Sequence, residues 1–276
     1  MCYSIGMKKT NYPSDLSDLE WNLFEPELRG SIKFGVFGRP PVYALREIVN
    51  GCLYLLKTGC QWRFLPRDFP PYNVVFYYFN RWRKNKILEK VNESLAKKVR
   101  VEAGRNEEPS VAIIDSQSAK TSEQRGVKGY DAGKKVKGRK RHILTDYLGL
   151  LISVVVHSAD IQDRDGAKIL LEPLEFSRPR IEKIIGDGGY AGEALADWIY
   201  ELRDDEHENQ IELEIVKRSD LSQGFELLPH RWIVERTLSW LAKNRRLSKD
   251  YEIFTTTSEA LIQLAMIKIM LKRLAT

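Results

Sequence analysis

The chain has 276 residues, of which 43% are hydrophobic and 30% charged, with a formal net charge of +6. That length admits one large domain with a small one, the apolar share supports a packed core, and the surplus of cations favours a phosphate-bearing polyanion as partner. Cys2, Cys52 and Cys60 show no C-x-x-C spacing and the four histidines no ligand spacing, which excludes a disulfide framework and a zinc site. The N-terminus lacks an apolar signal core, and the run Leu261 to Leu271 is interrupted by Lys268 and followed by Lys272-Arg273, so secretion is not expected and that run reads as a core helix, not a membrane span.

The first part of the chain reads as helical and aromatic. Ser14 or Ser17 can cap a helix through Trp21-Asn22-Leu23-Phe24, and Gly38-Arg39-Pro40-Pro41 is a break. Tyr43 to Lys57 places Leu45, Ile48, Val49, Cys52, Leu53 and Leu56 on one stripe of an amphipathic helix, which Thr58-Gly59-Cys60 stops. Pro66, Pro70 and Pro71 confine the next stretch to loop, and a further helix runs from about Asn73 into Arg81-Trp82-Arg83-Lys84. Helix, break and a second helix with a basic aromatic end outline a helix-turn-helix DNA reader, with Arg81, Arg83 and Lys84 as contacts. The alternative reading of these residues is a plain helical bundle with a solvated basic helix end.

Polar residues around Ala103 to Pro109 mark a boundary, giving a helical DNA-binding domain over 1–104 and a second domain over 105–276. Strands are expected at Val111 to Asp115, His142 to Asp146, Leu150 to His157, Ile181 to Gly186 and Ile211 to Val216. Helices are expected at Arg164 to Leu174, Gly192 to Leu202, Pro229 to Leu247 and Ser258 to Leu274. Three early strands followed by strand–helix alternation imply an α/β (α+β) class: a mixed sheet with flanking helices.

Asp115 and Asp187 each follow a short β-branched run, where a buried strand reaches the edge of a sheet. Gly186, Gly188 and Gly189 flank the second aspartate and permit close approach by a bulky ligand. Glu235 lies in a helical pattern, with Arg231, Ser239 and Lys243 on its own face and apolar residues on another. Such a ladder is a surface salt-bridge array or a metal ligand flanked by phosphate-contacting cations. Two aspartates from strand ends and one glutamate from a late helix can converge on a pair of divalent cations, whose hard character suits Mg²⁺. Between them, Lys134, Lys135, Lys137, Arg139, Lys140 and Arg141 form a glycine-interspersed basic segment that reads as a flexible DNA-gripping loop. Arg236 extends the positive surface beside Glu235.

Taken together, Asp115-Ser116-Gln117, Gly186-Asp187-Gly188-Gly189-Tyr190 and Arg231-Trp232-Ile233-Val234-Glu235-Arg236-Thr237 resemble the DDE transposases of bacterial insertion sequences. The likeness extends through Leu241 to Glu252, His157 to Asp163 and the Gly38-Arg39-Pro40-Pro41 region, and points to the insertion-sequence-five group of the insertion-sequence-four-like superfamily. It implies a ribonuclease-H-like catalytic domain and places the acidic triad, hence the catalytic and metal-binding residues, on Asp115, Asp187 and Glu235. The wider family carries a Tyr-x-x-Arg-x-x-x-Glu-x-x-x-x-x-x-Lys signature. Arg231 and Glu235 match it, whereas Leu228 stands at the Tyr position and Ala242 at the Lys position, with Lys243 one step late.

The resemblance implies binding of terminal inverted repeats, metal-dependent cleavage and strand transfer into target DNA. Two Mg²⁺ ions per site, replaceable by Mn²⁺, would serve that chemistry, on a homodimer assembled on double-stranded DNA in the bacterial cytoplasm at the nucleoid. The DNA contacts expected are Arg81, Arg83, Lys84, Lys134, Lys135, Lys137, Arg139, Lys140, Arg141, Arg231, Arg236 and Lys243. A ribonuclease-H-like nuclease without strand transfer, or a non-catalytic DNA-binding protein derived from such an element, are the alternatives.

Overall fold

Ser17 starts the first helix: its hydroxyl accepts from the Glu20 N–H while the Glu20 carboxylate accepts from the Ser17 N–H, a reciprocal cap that fixes α1 at Asp18–Gly30. The computed structural model describes residues 12–31, 42–123, 125–174, 180–202, 210–216 and 230–276. The Gly38 to Pro41 break, Cys2, His207 and Leu228 lie outside them.

The apolar stripe forms α2, Leu45–Thr58, and Gly59 ends it in the left-handed conformation that glycine adopts at least cost. Residues 59–71 hold only a 3₁₀ turn at Trp62–Phe64 before α3, Tyr72–Lys84. A further helix, α4 (Ile87–Glu102), buries Ile87, Leu88, Val91, Leu95 and Val99 along one side. The polar stretch after Glu102 then leads into the sheet.

Six strands make that sheet: β1 (Val111–Lys120), β2 (Gly129–Asp131), β3 (Val136–Thr145), β4 (Leu151–Ser158), β5 (Lys183–Gly186) and β6 (Glu212–Ile215). β3 runs antiparallel between β1 and β4 and carries β2 at its start, whereas β5 runs parallel to β1 and β6 parallel to β5. The remaining helices are α5 (Asp163–Leu171), α6 (Glu193–Tyr200), α7 (Arg231–Ala242) and α8 (Thr255–Leu274).

Two expectations need correction. Asp115 lies in the middle of its strand, because the polar continuation Ser116 to Lys120 finds a full antiparallel partner in β3. The basic segment is a loop only in part: Lys134 and Lys135 lie in a turn, whereas residues 136–145 form a strand, paired from Arg139 on with β1 and β4, that buries Arg139, Lys140 and Arg141.

Strand alternation divides the apolar residues between two cores. Ile113, Ile143 and Ile185 face one core with α4, α7 and α8; Ala112, Ile114, Leu144 and Ile184 face the other, with α5 and α6. α8 is buried over most of its surface and packs on α4, β4, α1 and α2, so the first core continues from the sheet into the N-terminal helices. No helix among the described residues is long and apolar enough to cross a membrane.

Candidate active site

The register of the two parallel strands brings the aspartates together. Ile113 of β1 pairs with Ile185 of β5, and Asp115 and Asp187 each stand two residues further along. Period-two alternation turns the Asp115 side chain to the same face as Ile113, the face covered by α7. Glu235 stands on that helix, which buries Ile233, Val234, Thr237 and Leu241 against the sheet and leaves the Glu235 side chain 52% exposed. All three acids therefore belong to one side of the sheet.

Arg231 links two of them. Its Nη2 lies 3.4 Å from Asp187 Oδ2 and its Nε 3.2 Å from Glu235 Oε1. Asp187 also caps the short turn Gly188–Tyr190 by accepting from the Gly189 N–H at 2.8 Å. Asp115 accepts from the Ser116 N–H at 2.7 Å. Burial pushes its carboxyl up to about 6, and the neighbouring Asp187 charge adds to that, against the lowering effect of the Ser116 N–H, Lys134 and Arg231.

The chemistry of these donors bears on a divalent cation. Two carboxylates side by side, one of them destabilised by burial and by its neighbour, offer hard oxygens and an unmet negative charge, which suits such an ion. Among the described residues, however, no three His, Cys, Asp or Glu side chains are drawn together as a ligand group. Glu235 is held off by the Arg231 guanidinium, which occupies the cationic position between the helix and the strands.

Residues 106–270 match the family described as Transposase DDE domain, and residues 16–92 match the IS4/5 transposase family. The chain belongs to the DDE transposases. Its strand order and flanking helices make the ribonuclease-H-like fold that this family implies, and the transposase is a metal-dependent phosphoryl-transfer enzyme whose substrate is DNA. No curated protein and no solved structure matches the chain significantly.

The basic residues separate into two groups. Lys135 and Lys137 are exposed, as is Lys243 just past α7. Arg139, Lys140 and Arg141 are only 1%, 4% and 3% exposed, so the expectation that they grip DNA does not hold in this fold. The Arg139 guanidinium donates to Asp250 Oδ1 at 2.9 Å and to the Val127, Glu252 and Ile253 carbonyls, and Arg141 donates to the Leu247 and Lys249 carbonyls. These charges fasten β3 to the chain before α8. Lys134 is intermediate: its stem is exposed, but its ammonium donates to the Ser116 carbonyl at 2.8 Å and hydroxyl at 3.0 Å.

Arg236 is stacked between Trp232 and Trp240, 4.6 Å from each ring centroid, and donates to the Leu148 carbonyl. On α3, Arg81 lies over Tyr77, while Arg83 lies over Phe254 and donates to the Thr256 hydroxyl. Arg83 and Lys84 line a groove with Trp62, Phe76, Tyr77 and Phe254.

The residues that strand and helix patterns did not reveal lie behind the sheet. Ser116 Oγ donates to Asp163 Oδ1 at 3.0 Å, and the Lys140 ammonium lies 3.0 Å from the same carboxylate. The rings of His142 and His157 stack at 4.8 Å, and His142 Nδ1 meets the Tyr190 hydroxyl at 3.1 Å. Burial, reinforced by the His157 charge, drives His142 down to about 3, and burial lowers His157 too, so the pair stacks neutral. The signal for these contacts was the alternation that turns Ser116 away from Asp115.

Proposed function

We propose that this transposase binds the terminal inverted repeats of its own insertion sequence, frees a 3′-hydroxyl at each element end and joins it to target DNA. One observation carries the reading: Asp115 on β1 and Asp187, one residue past the end of the neighbouring parallel β5, stand at matching positions beside the helix that bears Glu235. Asp115 and Asp187 would share two Mg²⁺ ions, with Mn²⁺ as substitute, and Glu235 would complete one coordination sphere. Such ions, when bound, act as Lewis acids and lower the pKa of an attacking water.

The protein's own groups do the rest. Arg231 balances Asp187 and Glu235 in the metal-free protein, and once those acids have another cation its guanidinium is free to pair with a phosphate of the cleaved strand. Lys135, Lys137, Lys243 and Lys84 are exposed cations for the DNA backbone. Residues 1–104, with the basic end of α3, would hold the element end, and 105–276 would act on it. Since two ends must be held at once, the working assembly is a homodimer on DNA.

The test uses two labelled duplexes carrying the element's ends, one intact and one already cut to expose its 3′-hydroxyl, each with Mg²⁺ or Mn²⁺. We expect cleavage of the first and joining of the second to target DNA. Cutting without joining would point to a nuclease; binding without either would mean a DNA-binding protein, and the reading would be wrong.

A further inference from the structure

Behind the sheet, one carboxylate touches the supports of both strand-borne acids. Asp163, the first residue of α5, accepts from Ser116 Oγ at 3.0 Å, and Ser116 in turn donates its N–H to Asp115 at 2.7 Å. Lys134 clamps the same serine from the other direction, through its carbonyl and hydroxyl. Asp163 also reaches the turn that carries Asp187. A Cβ placed on Gly189 would lie 3.0 Å from Asp163 Oδ2 and 3.0 Å from Asp187 Oδ1, so both carboxylates pack closely on that turn. Tyr190, the next residue, is tied to His142, whose other ring nitrogen has no hydrogen-bond partner, is fully buried, and lies 3.8 Å from Asp163 Oδ1.

The backbone is arranged to bring α5 this close. Gly166 is one helical turn after Asp163, and a Cβ there would meet His142 Nε2 at 2.4 Å and His157 Nε2 at 2.8 Å. Glycine weakens a helix by about 1 kcal/mol relative to alanine, so its presence inside α5 reflects the need for contact with the histidine pair. Asp163 thus meets β1 through Ser116, β3 through Lys140, and the Asp187 turn across Gly189.

We propose that Asp163 is a positioning residue for phosphoryl transfer: from behind the sheet it fixes Asp115 through Ser116 and holds the turn that presents Asp187. This rests on the active-site reading above. Asp163 does not touch the DNA; it aligns the groups that act on it. Supporting groups of this kind change activity by about 10- to 100-fold when removed.

The full chain is compared with Asp163→Asn, which keeps size and an acceptor oxygen, with Ser116→Ala, and with the double variant. In metal-free, DNA-free protein, the Ser116 amide resonance should move in Asp163→Asn, because its acceptor is reoriented. In single-turnover cleavage at saturating Mg²⁺ and DNA, each single variant should be slower by about 10- to 100-fold at unchanged DNA affinity. The double variant should be no slower than the slower single one, because both act through one path. A wild-type rate in either single variant, losses that multiply in the double, or an unmoved Ser116 resonance would overturn the proposal. If Asp163→Asn does not fold, Ser116→Ala decides by its rate alone. If the unmodified chain cuts no DNA, the catalytic reading has failed, and the Ser116 resonance still decides whether Asp163 positions Asp115.

Discussion

Asp115 and Ser116 are consecutive in β1, yet the two sides of the sheet that they face balance charge in opposite ways. Behind the sheet, the Asp163 carboxylate has Ser116 and Lys140 as partners, and the buried His142 and His157 rings stack beside them. In front, Asp115 and Asp187 repel each other, and the balancing guanidinium of Arg231 stands more than 3 Å from the carboxylates it serves. The rear is a finished structure that fixes geometry. Around Asp115 and Asp187 the front is left electrostatically incomplete, which is the condition a site needs if cations and a polyanion are to bind there.

Removing one member of a fully buried ion pair should harm folding most. Arg139→Met strips Asp250 of its buried partner, and loss of one member of such a pair costs about 3–5 kcal/mol. Urea unfolding should show that loss; a change under 1 kcal/mol would mean the pairing is dispensable. Breaking the acid pair should do the reverse. Asp115→Asn should abolish cleavage while stabilising the metal-free protein at pH 7 by up to about 3 kcal/mol, since the carboxyl is raised from 3.8 to about 6 and each unit of pKa displacement is worth about 1.4 kcal/mol.

The pH dependence follows from the same displacement. Asp115 is raised from 3.8 to about 6, so between those values the folded chain holds a proton that the unfolded chain has released. Its contribution is fully present at the acid end and is lost as pH rises through about 6. The metal-free melting temperature of the unmodified chain should carry this decline, and that of Asp115→Asn should not. A curve unchanged by the substitution would contradict the strained-front account.

Smaller effects sharpen the contrast. Arg231→Ala should cost no more than about 1 kcal/mol of stability, as expected for a half-exposed pair, but should strengthen Mn²⁺ binding to DNA-free protein because a competing cation is gone. Calorimetry showing weaker binding would argue that Arg231 organises the acids and does not stand in their way. Lys135→Ala and Lys137→Ala should leave stability unchanged, and each should reduce the log–log salt slope of DNA binding by about 0.9.

Much of this was legible in the chain. The β-branched runs before Asp115 and Asp187 gave the strands, and the stripe from Leu45 to Leu56 gave α2, because burial on one face imposes a period. α4 was harder to single out, since Lys90, Glu93, Lys97 and Lys98 crowd its exposed side. The basic strand was misread for a physical reason: Lys137 to Arg141 look solvated in sequence, and only the carbonyls and carboxylates supplied by residues 247–253 and by Asp163 make burial of the cations possible. Asp163 and the histidine pair were hidden similarly, because cross-strand and helix–strand contacts leave no local period. The front was readable because its acids end apolar runs or punctuate a helix. The rear was not, because its meaning lies in partners far away in sequence.

The most direct measurement is joining of pre-cut element ends to target DNA in Mg²⁺, with the unmodified chain and Asp187→Asn compared at equal DNA occupancy. The account predicts joined product from the former and none from the latter, with both proteins folded and DNA-bound. Joining that survives Asp187→Asn would place the chemistry somewhere other than the neighbouring Asp115 and Asp187 of β1 and β5.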